Sequence, residues 1–388
     1  MSLALPERIA VVHDWLIDFS GAERVLAEIL QCFPRADLFA LLDHMPADVR
    51  APLGARRART TFLQNMPGVV GGLRYYLPLM PLAIEQLDVT GYDLVISNSH
   101  AVAKGVIVSP DALHLSYVCS PMRYAWDQQF AYLEGAGRTQ GALLRWLLHR
   151  LRIWDHRSAA GVDGFVADSG FVARRILKAY RRAAAVIYPP VDIDFYRPGG
   201  EREDYYVTVS RLWPYKRVDL LVDAFASMPQ RRLIVIGDGP ELRRLRARAG
   251  ANVELLGYQP ASAVLGHLQR ARAFLFAAVE DFGIAPIEAM ACGTPVIALG
   301  RGGAAETVLG LETETPTGVF FNEQSAAAVA GAVQRFEDSG TRIGAEACRR
   351  QAERFSAARF RAELTGFVTE RYADWLEYRG GRRAPPGG

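Results

Sequence analysis

The sequence has little lysine, few cysteines and no long apolar run, and each shortage excludes a class of protein or site. Three of its 45 basic residues are lysines, so an arginine here is weak evidence for a site and a lysine is stronger evidence. No run of about 18 uncharged apolar residues occurs, so we expect no membrane-spanning helix. The first residues, MSLALPERIAVVHDW, lack a basic segment and a small-residue cleavage site, so we expect no signal peptide. The cysteines are widely spaced without a Cys-x-x-Cys pair, which predicts reduced thiols, a cytoplasmic protein and no zinc site; they are Cys32, Cys119, Cys292 and Cys348.

Short apolar runs alternate with helical segments in both halves of the chain, which predicts two doubly wound parallel α/β sheets. At 388 residues the chain is too long for one ordinary core. The predicted strands cover 8–14, 93–99, 105–109, 113–119 and 164–169, then 205–211, 232–238, 253–257, 273–278 and 294–300.

Prolines and glycines divide the chain into predicted domains. Pro189 and Pro190 stop any helix or central strand, so a linker is expected over 189–204, after a first domain over 1–188. The second domain is then expected over 205–362, and a helix over 363–379. The last residues, 380–388, are rich in Gly, Pro and Arg and are predicted to be a disordered tail.

Basic residues cluster in two places, although the net charge of +3 is small and shows no nucleic-acid-binding footprint. The stretch 49–84 contains no acid and five arginines: Arg50, Arg56, Arg57, Arg59 and Arg74. The stretch 143–157, LLRWLLHRLRIWDHR, interleaves arginine with Leu and Trp. We hypothesise that both contact an anionic membrane surface. The alternative is a half-buried helix with arginine stems spread over it.

The segment AAVEDFGIAPIEAMACGTPVIA (277–298) carries two carboxylates at a strand end and on the following helix. Glu280 follows an apolar strand, and Glu288 lies on a helix predicted over 286–292 and ended by Gly293. Open α/β sheets bind ligands at this edge, so the carboxylates suit two groups of hydroxyls. The backbone N–H groups between them, over 282–284, can face an anion. Either glutamate alone could equally be a solvated or helix-start residue.

The segment VSRLWPYKRVDLLVDAF (209–225) places two cations before a helix. A strand leads to Arg211, a turn contains Pro214, and Lys216 precedes the helix. Two cations and a helix N-terminus suit a diphosphate. Arg217 is interpreted as a surface residue.

Together these two segments resemble the retaining glycosyltransferases of the GT-B fold, family four, over nearly the full chain. The resemblance implies two Rossmann-like domains facing a cleft, the last helix crossing back to the first domain. It implies a catalytic set of His100, Arg211, Lys216 and Glu280, in which the cations hold the donor diphosphate and Glu280 the sugar hydroxyls. Glu288 would hold the ribose. The further implied donor contacts are Gly21, Gly237, Leu256, Tyr258, Phe282, Gly283 and Ile284. No metal and no cofactor is implied, since the nucleotide-sugar is a substrate.

Three strings of the first half extend the resemblance to the acceptor side. HDWLIDFSGAERVLAEI (13–29) resembles the family's glycine-rich loop at Gly21, with Ser20 where a second glycine is common. ISNSHAVAKGV (96–106) places His100 past a strand end, where the family has a His beside the donor sugar. SPMRYAWD (120–127) resembles the mannosyltransferases of polysaccharide and O-antigen assembly, which use GDP-mannose and polyprenyl-diphosphate-linked acceptors. Its acceptor-side residues would be Arg123, Tyr124, Trp126 and Asp127.

Other functions remain open from the sequence alone. The donor could be UDP-glucose or another UDP-sugar, and a sugar-nucleotide epimerase could use the same fold. IGDGPELRRL (236–245) has a glycine pair after a strand, which would let a ligand approach closely, but it lacks the third glycine of a dinucleotide fingerprint. An oxidoreductase is therefore disfavoured, and the intact cations and glutamates argue against an inactive scaffold.

Overall fold

The chain divides into two compact units in a computed structural model that describes residues 5–54, 56–134 and 137–380. Unit 1 consists of Met1–Tyr188 and Phe360–Gly388, and unit 2 of Pro189–Arg359. The tail predicted over 380–388 lies, beyond Gly380, outside the described residues.

Unit 1 is built on a parallel sheet of seven strands over the described residues, in the order β3-β2-β1-β4-β5-β6-β7. The strands are β1 (Ile9–His13), β2 (Asp37–Ala40), β3 (Arg59–Thr60), β4 (Leu94–Ser99), β5 (Leu113–Val118), β6 (Gly164–Ala167) and β7 (Ala185–Val186). All five residues of β1 are buried, as expected for a central parallel strand covered on both faces. Ile9 and Val11 pack into one core and Ala10 and Val12 into another, so successive side chains serve opposite layers.

Helices cover both faces of this sheet. They are α1 (Gly21–Cys32), α2 (Val69–Gly72), α3 (Met80–Ile84), α4 (Gln129–Leu133), α5 (Arg138–Ser158) and α6 (Gly170–Tyr180). Short 3-10 helices cover Ala47–Val49, Ala51–Leu53, Phe62–Asn65, Leu73–Leu79, Ala103–Gly105 and Ala159–Gly161. The strand predicted over 105–109 is wrong, because the chain turns in the 3-10 helix Ala103–Gly105 and then runs without a strand partner to Ser109.

Unit 2 repeats the architecture with six described parallel strands in the order β10-β9-β8-β11-β12-β13. The strands are β8 (Tyr205–Val209), β9 (Arg232–Ile236), β10 (Val253–Gly257), β11 (Ala273–Phe276), β12 (Val296–Leu299) and β13 (Gly318–Phe321). The helices are α7 (Val218–Ala226), α8 (Leu242–Arg248), α9 (Ala261–Arg270), α10 (Ile284–Ala291), α11 (Ala304–Thr307), α12 (Ala326–Asp338) and α13 (Ala345–Glu353), with 3-10 helices at Pro214–Lys216 and Gly340–Arg342.

The last helix, α14 (Ala357–Arg379), packs on unit 1. Phe360, Leu364, Val368 and Trp375 are buried in the core that also contains Val11 of β1. The segment predicted as a linker begins unit 2, where the backbone N–H of Val191 donates to the carbonyl of Phe355.

The strand order fixes where each sheet can bind a ligand. Unit 2 has the 3-2-1-4-5-6 order of a Rossmann fold, so the connections after β8 and β11 leave the sheet in opposite directions. In unit 1 the same point lies between β1 and β4. Each sheet therefore has a crevice at the carboxyl ends of its two central strands, and the prediction of a doubly wound α/β fold is confirmed.

Candidate functional site

The first predicted cations follow the central strand β8 of unit 2. Arg211 lies two residues beyond the strand and is exposed. The chain then forms the 3-10 helix Pro214–Lys216, and Arg217 adopts a left-handed conformation with φ of 54°. Arg217 also donates to Asp219, at 3.1 Å. The left-handed residue ends the 3-10 helix directly before α7, which places Lys216 at the turn and leaves Arg217 paired on the surface.

Glu280 meets Lys216 at the adjoining strand. It follows β11 by four residues, and its carboxylate forms an ion pair with the Lys216 ammonium group. Both side chains are mostly buried, with 14% of Lys216 and 18% of Glu280 exposed. The sequence assigned these residues to the diphosphate and the sugar respectively, and the structure brings the two side chains into direct contact.

A glycine pair holds the loop that carries Glu280. The N–H of Gly303 donates to the Glu280 carbonyl at 3.0 Å. A Cβ atom on Gly302 would lie 2.3 Å from the Glu280 carbonyl oxygen, and one on Gly303 would lie 2.1 Å from that of Phe282. Only glycine fits at both positions. The RGG turn (301–303) therefore packs closely against the backbone of the Glu280 loop.

Glu288 lies on α10, which begins at Ile284 after Gly283 and ends before Gly293 with φ of 75°. The helix starts two residues earlier than predicted, and its Gly293 end is confirmed. Glu288 is buried, with 6% of its surface exposed. Burial, with the nearby charge of Glu288, raises the pKa of Cys292 to about 12. The structure therefore places the Glu288 side chain in the second turn of α10, largely shielded from solvent.

The Gly237 turn contacts the Arg211 segment. A Cβ atom on Gly237 would lie 1.8 Å from the Ser210 carbonyl oxygen, and one on Gly239 would lie 2.6 Å from that of Leu212. Backbone of the same unit therefore occupies the space that a side chain at either position would need. That a ligand approaches this glycine pair closely stays a prediction. The predicted neighbours Leu256 and Tyr258 flank Gly257 at the end of β10, and Tyr258 is 78% exposed.

In unit 1, Gly21 is the first residue of α1, and Ser20 is its N-cap. The N–H and hydroxyl of Ser20 donate to one Glu23 carboxylate oxygen, at 3.0 and 2.7 Å. The other oxygen lies 3.3 Å from Nε2 of His13, the last residue of β1. A serine at the position where the resemblance expects glycine thus caps the helix and fixes the loop to the strand.

Both ring nitrogens of buried His13 face acceptors, Nε2 facing Glu23 and Nδ1 facing the Asn98 carbonyl at 3.2 Å. Burial lowers the pKa of His13, but the hydrogen bond and charge of Glu23 outweigh burial and raise it overall. Burial raises the pKa of Glu23, while the contacts with His13 and Ser20 bring it down to about 2. The contact with Glu23 thus favours the protonated form of His13, and the contact with His13 favours the ionised form of Glu23.

His100 follows β4, directly beside the end of β1, and 26% of its side chain is exposed. Its Nδ1 atom lies 3.0 Å from a carboxylate oxygen of Asp14, and its ring packs edge-on against Trp15. Sequence reasoning missed Asp14. The available signal was an acid that directly follows a buried strand, at the edge where open α/β sheets bind ligands.

The loop predicted for the acceptor (120–127) is anchored by its own side chains. The Trp126 indole donates to Asp155 of α5 at 2.7 Å, and Asp127 pairs with Arg175 of α6 and, at 3.8 Å, with Arg123. The Tyr124 hydroxyl is shielded from solvent and makes no hydrogen bond within the described part of the chain. Burial raises the pKa of Tyr124, and the charges of Asp14 and Asp155 add to this.

The basic stretch 49–84 differs from the prediction at Arg50. This arginine is 3% exposed and pairs with Asp43, an acid that lies just before the stretch. It is therefore a core ion pair and not a membrane contact. Exposed apolar side chains do occur at Tyr75 and Leu82. No helix in the described ranges is both long and apolar enough to cross a membrane, and no group of three or more His, Cys, Asp or Glu side chains there is placed to hold a metal ion.

The family match lies within unit 2. Residues 194–355 match the family described as glycosyl transferases group 1. A GDP-mannose-dependent alpha-(1-6)-phosphatidylinositol monomannoside mannosyltransferase of Mycobacterium tuberculosis is 32% identical over 240 residues, which cover 52% of this chain and 61% of that protein. A D-inositol 3-phosphate glycosyltransferase of Mycobacterium leprae is 31% identical over 167 residues, which cover 36% of this chain and 39% of that protein. The match thus spans less than two thirds of each relative.

Solved structures match nearly the whole fold. The Anabaena protein HepE in complex with UDP superposes with a TM-score of 0.69 at 20% identity, covering 94% of this chain and 100% of that one. Sucrose-phosphate synthase from Thermosynechococcus elongatus superposes with a TM-score of 0.70 at 19% identity, covering 95% and 100%. The fold is that of the GT-B glycosyltransferases, so the predicted fold is confirmed.

Proposed function

We propose that this chain is a retaining glycosyltransferase that moves mannose from GDP-mannose to a saccharide acceptor carried on polyprenyl diphosphate, in surface polysaccharide synthesis. The observation that carries the proposal is the meeting of Lys216 and Glu280 at the central carboxyl edge of unit 2, beside exposed Arg211. A cation can bind the donor diphosphate and a neighbouring carboxylate can accept hydrogen bonds from the hydroxyls of the attached sugar. The GDP-mannose dependence named for the mycobacterial relative supports the choice of donor.

The proposed chemistry relies on charge rather than on a covalent intermediate. As the bond from sugar to phosphate breaks, negative charge grows on the leaving diphosphate, and Arg211 and Lys216 stabilise it without a metal. The acceptor hydroxyl attacks from the same face, and a leaving phosphate oxygen takes its proton. We assign the donor nucleotide to unit 2, with Glu288 on the ribose. In unit 1 we assign His100 to the donor sugar and the 120–127 loop to the acceptor.

A panel of nucleotide-sugars tests the donor. GDP-mannose should raise the melting temperature of the chain more than UDP-glucose or ADP-glucose at equal concentration, because a ligand that binds only the folded state stabilises it. A larger shift of the melting temperature with UDP-glucose would indicate that the donor is a UDP-sugar. A melting temperature that rises with NAD and with no nucleotide-sugar would indicate an oxidoreductase.

Incubation with donor, with and without a short polyprenyl-diphosphate disaccharide, tests the reaction. A glycosyltransferase lengthens the acceptor by one hexose and releases GDP only when the acceptor is present. Conversion of the donor to a different sugar nucleotide in the absence of acceptor would identify an epimerase instead. The anomeric configuration of the new linkage, read by NMR, tests retention.

We also propose that unit 1 rests on anionic membrane through α5. Leu143, Trp146 and Ile153 are 65%, 61% and 44% exposed, and exposed Arg150 and Arg157 continue the same line at helical spacing. The opposite face is buried through Leu148 and Leu151. Exposed apolar side chains interleaved with arginine suit the boundary between headgroups and acyl chains.

Vesicle flotation tests this contact. The chain should float with phosphatidylglycerol vesicles and not with phosphatidylcholine vesicles. Trp146→Ser should weaken the binding, whereas Trp213→Ser, at a comparably exposed tryptophan of unit 2, should leave it unchanged. Equal flotation of both variants would refute the assignment to α5.

A further inference from the structure

The carboxylate of Asp14 is enclosed by the loop that begins with His100. Asp14 is fully buried and follows β1, while the loop follows the neighbouring strand β4. Oδ2 accepts the backbone N–H groups of His100 and Ala101 at 2.6 and 3.0 Å, and Oδ1 accepts those of Val102 and Ala103 at 2.6 and 2.7 Å. Four successive N–H groups on one carboxylate fix the course of the loop.

The same carboxylate faces the ring of His100. Nδ1 is buried, lies 3.0 Å from Oδ2 and makes no hydrogen bond within the described part of the chain. The ring packs against Trp15, with ring centroids 4.5 Å apart in an edge-on arrangement. A protonated Nδ1 is attracted to a carboxylate oxygen at this distance, whereas a lone pair there is repelled, which favours the proton on Nδ1. In the neutral ring the lone pair is then on Nε2, because only one nitrogen can be protonated.

We infer that Asp14 is a positioning residue that holds His100 with Nδ1 protonated, so that Nε2 accepts a hydrogen bond from a substrate hydroxyl. The nearby His13 differs in this respect, since both its nitrogens face acceptors and it offers no lone pair. Asp14 thus both shapes the loop and selects the form of the ring. This assignment of the substrate group rests on the proposed function, whereas the state of the ring does not.

The state of the ring can be measured on the wild-type chain. Nitrogen-15 spectra of the histidine rings, with His100 identified by the loss of its signals in His100→Asn, should show Nδ1 protonated and Nε2 unprotonated when the ring is neutral. A neutral ring protonated on Nε2, or one that exchanges freely between the two forms, would overturn the inference. The result does not depend on activity, so failure of the proposed function would be seen separately.

A double-mutant cycle tests the action through His100. We expect Asp14→Asn to lower kcat by up to about 100-fold while changing the Kd for the donor by less than about twofold, because misplacement of one group by an ångström has effects of that size. In the His100→Asn background the same substitution should lower kcat no further. Equal losses of kcat in both backgrounds would mean that Asp14 serves only the fold. If Asp14→Asn does not fold, the nitrogen-15 spectra of the wild-type chain still test which nitrogen of His100 is protonated.

Discussion

The ammonium group of Lys216 and the carboxylate of Glu280 form an ion pair, although one follows β8 and the other β11. Each neutralises the other in a site where both are largely shielded from water. A donor diphosphate that engages Lys216 must therefore share it with Glu280 or displace it. The predictions for these two residues differ accordingly.

Lys216→Ala should lower kcat/KM by about 100- to 1000-fold, the usual cost of removing one group that stabilises transition-state charge. The loss should fall mainly on kcat, since the diphosphate charge grows as the bond breaks. Lys178→Ala, at an exposed lysine of α6, is the matched control and should leave both constants unchanged. Steady-state kinetics with GDP-mannose and acceptor measure both. Unaltered turnover in Lys216→Ala would remove this lysine from the site.

Glu280→Gln should lower turnover yet let free GDP bind more tightly, because the substitution releases Lys216 from its ion pair. A gain of up to about fivefold in affinity is expected, equivalent to about 1 kcal/mol. Glu288→Gln is the comparison, since the loss of this buried carboxylate should weaken GDP binding. Isothermal titration calorimetry measures both. Weaker GDP binding by Glu280→Gln would show that the ion pair does not compete with the diphosphate.

Gly303→Ala should destabilise unit 2 by more than about 1–3 kcal/mol, the range for ordinary overpacking, since its Cβ would lie 2.1 Å from a backbone oxygen. Gly71→Ala has no atom within 4 Å of the new Cβ, lies in a helix, and should be neutral or stabilising by about 0.4–1 kcal/mol. Urea denaturation measures the free energy of unfolding of each. Similar stabilities of the two variants would refute the close packing of the RGG turn on the Glu280 loop.

Asp155→Asn should cost about 3–5 kcal/mol of stability, because it leaves the Lys104 ammonium group buried without its carboxylate. The Trp126 indole and the Tyr180 hydroxyl also lose a charged acceptor. Glu254→Gln breaks the exposed pair with Arg232 and should cost less than about 1 kcal/mol. Chemical denaturation of the two variants tests the difference, and equal costs would contradict it.

The wild-type chain should lose stability on acidification more steeply than Glu23→Gln does. The folded-state pKa of Glu23 is about 2, below its ordinary value of 4.5, so its contribution is present above pH 4.5 and is lost as the pH falls towards 2. His13 acts in the opposite direction, since its raised pKa gives a contribution that is lost as the pH rises through it. Urea midpoints at pH 6, 5, 4 and 3 measure the slope. Parallel curves for the two proteins would contradict the prediction.

Much of the fold was predictable because buried parallel strands are continuous apolar runs. Nine of the ten predicted strands were found, each within two residues at either end. The exception, 105–109, has the right composition but follows a turn fixed by Asp14, which is remote in sequence. Four described strands were missed. Strands β3 and β7 have two residues each, which carry no periodic pattern, and β2 and β13 have four residues each.

For the site, the sequence predicted residue types better than their partners. A binding site was predicted separately in each of two segments, 209–225 and 277–298. Nothing within either segment indicates that Lys216 and Glu280 touch. Likewise the absence of acids over 49–84 suggested free arginines, and the partner of Arg50 lay six residues before that stretch, at Asp43. Contacts between elements depend on the sheet order, which local pattern does not contain.

The ends of unit 2 are held together by the chain itself, through the bond between Val191 and Phe355 and the bridge between Val191 and Ser356. Unit 2 is continuous in sequence, while unit 1 is assembled from the segments before and after it. Unit 2 therefore has the form of a domain inserted into unit 1, with its first and last residues next to each other. A single genetic exchange of 189–359 would therefore replace the whole of unit 2 without altering the order of strands in unit 1.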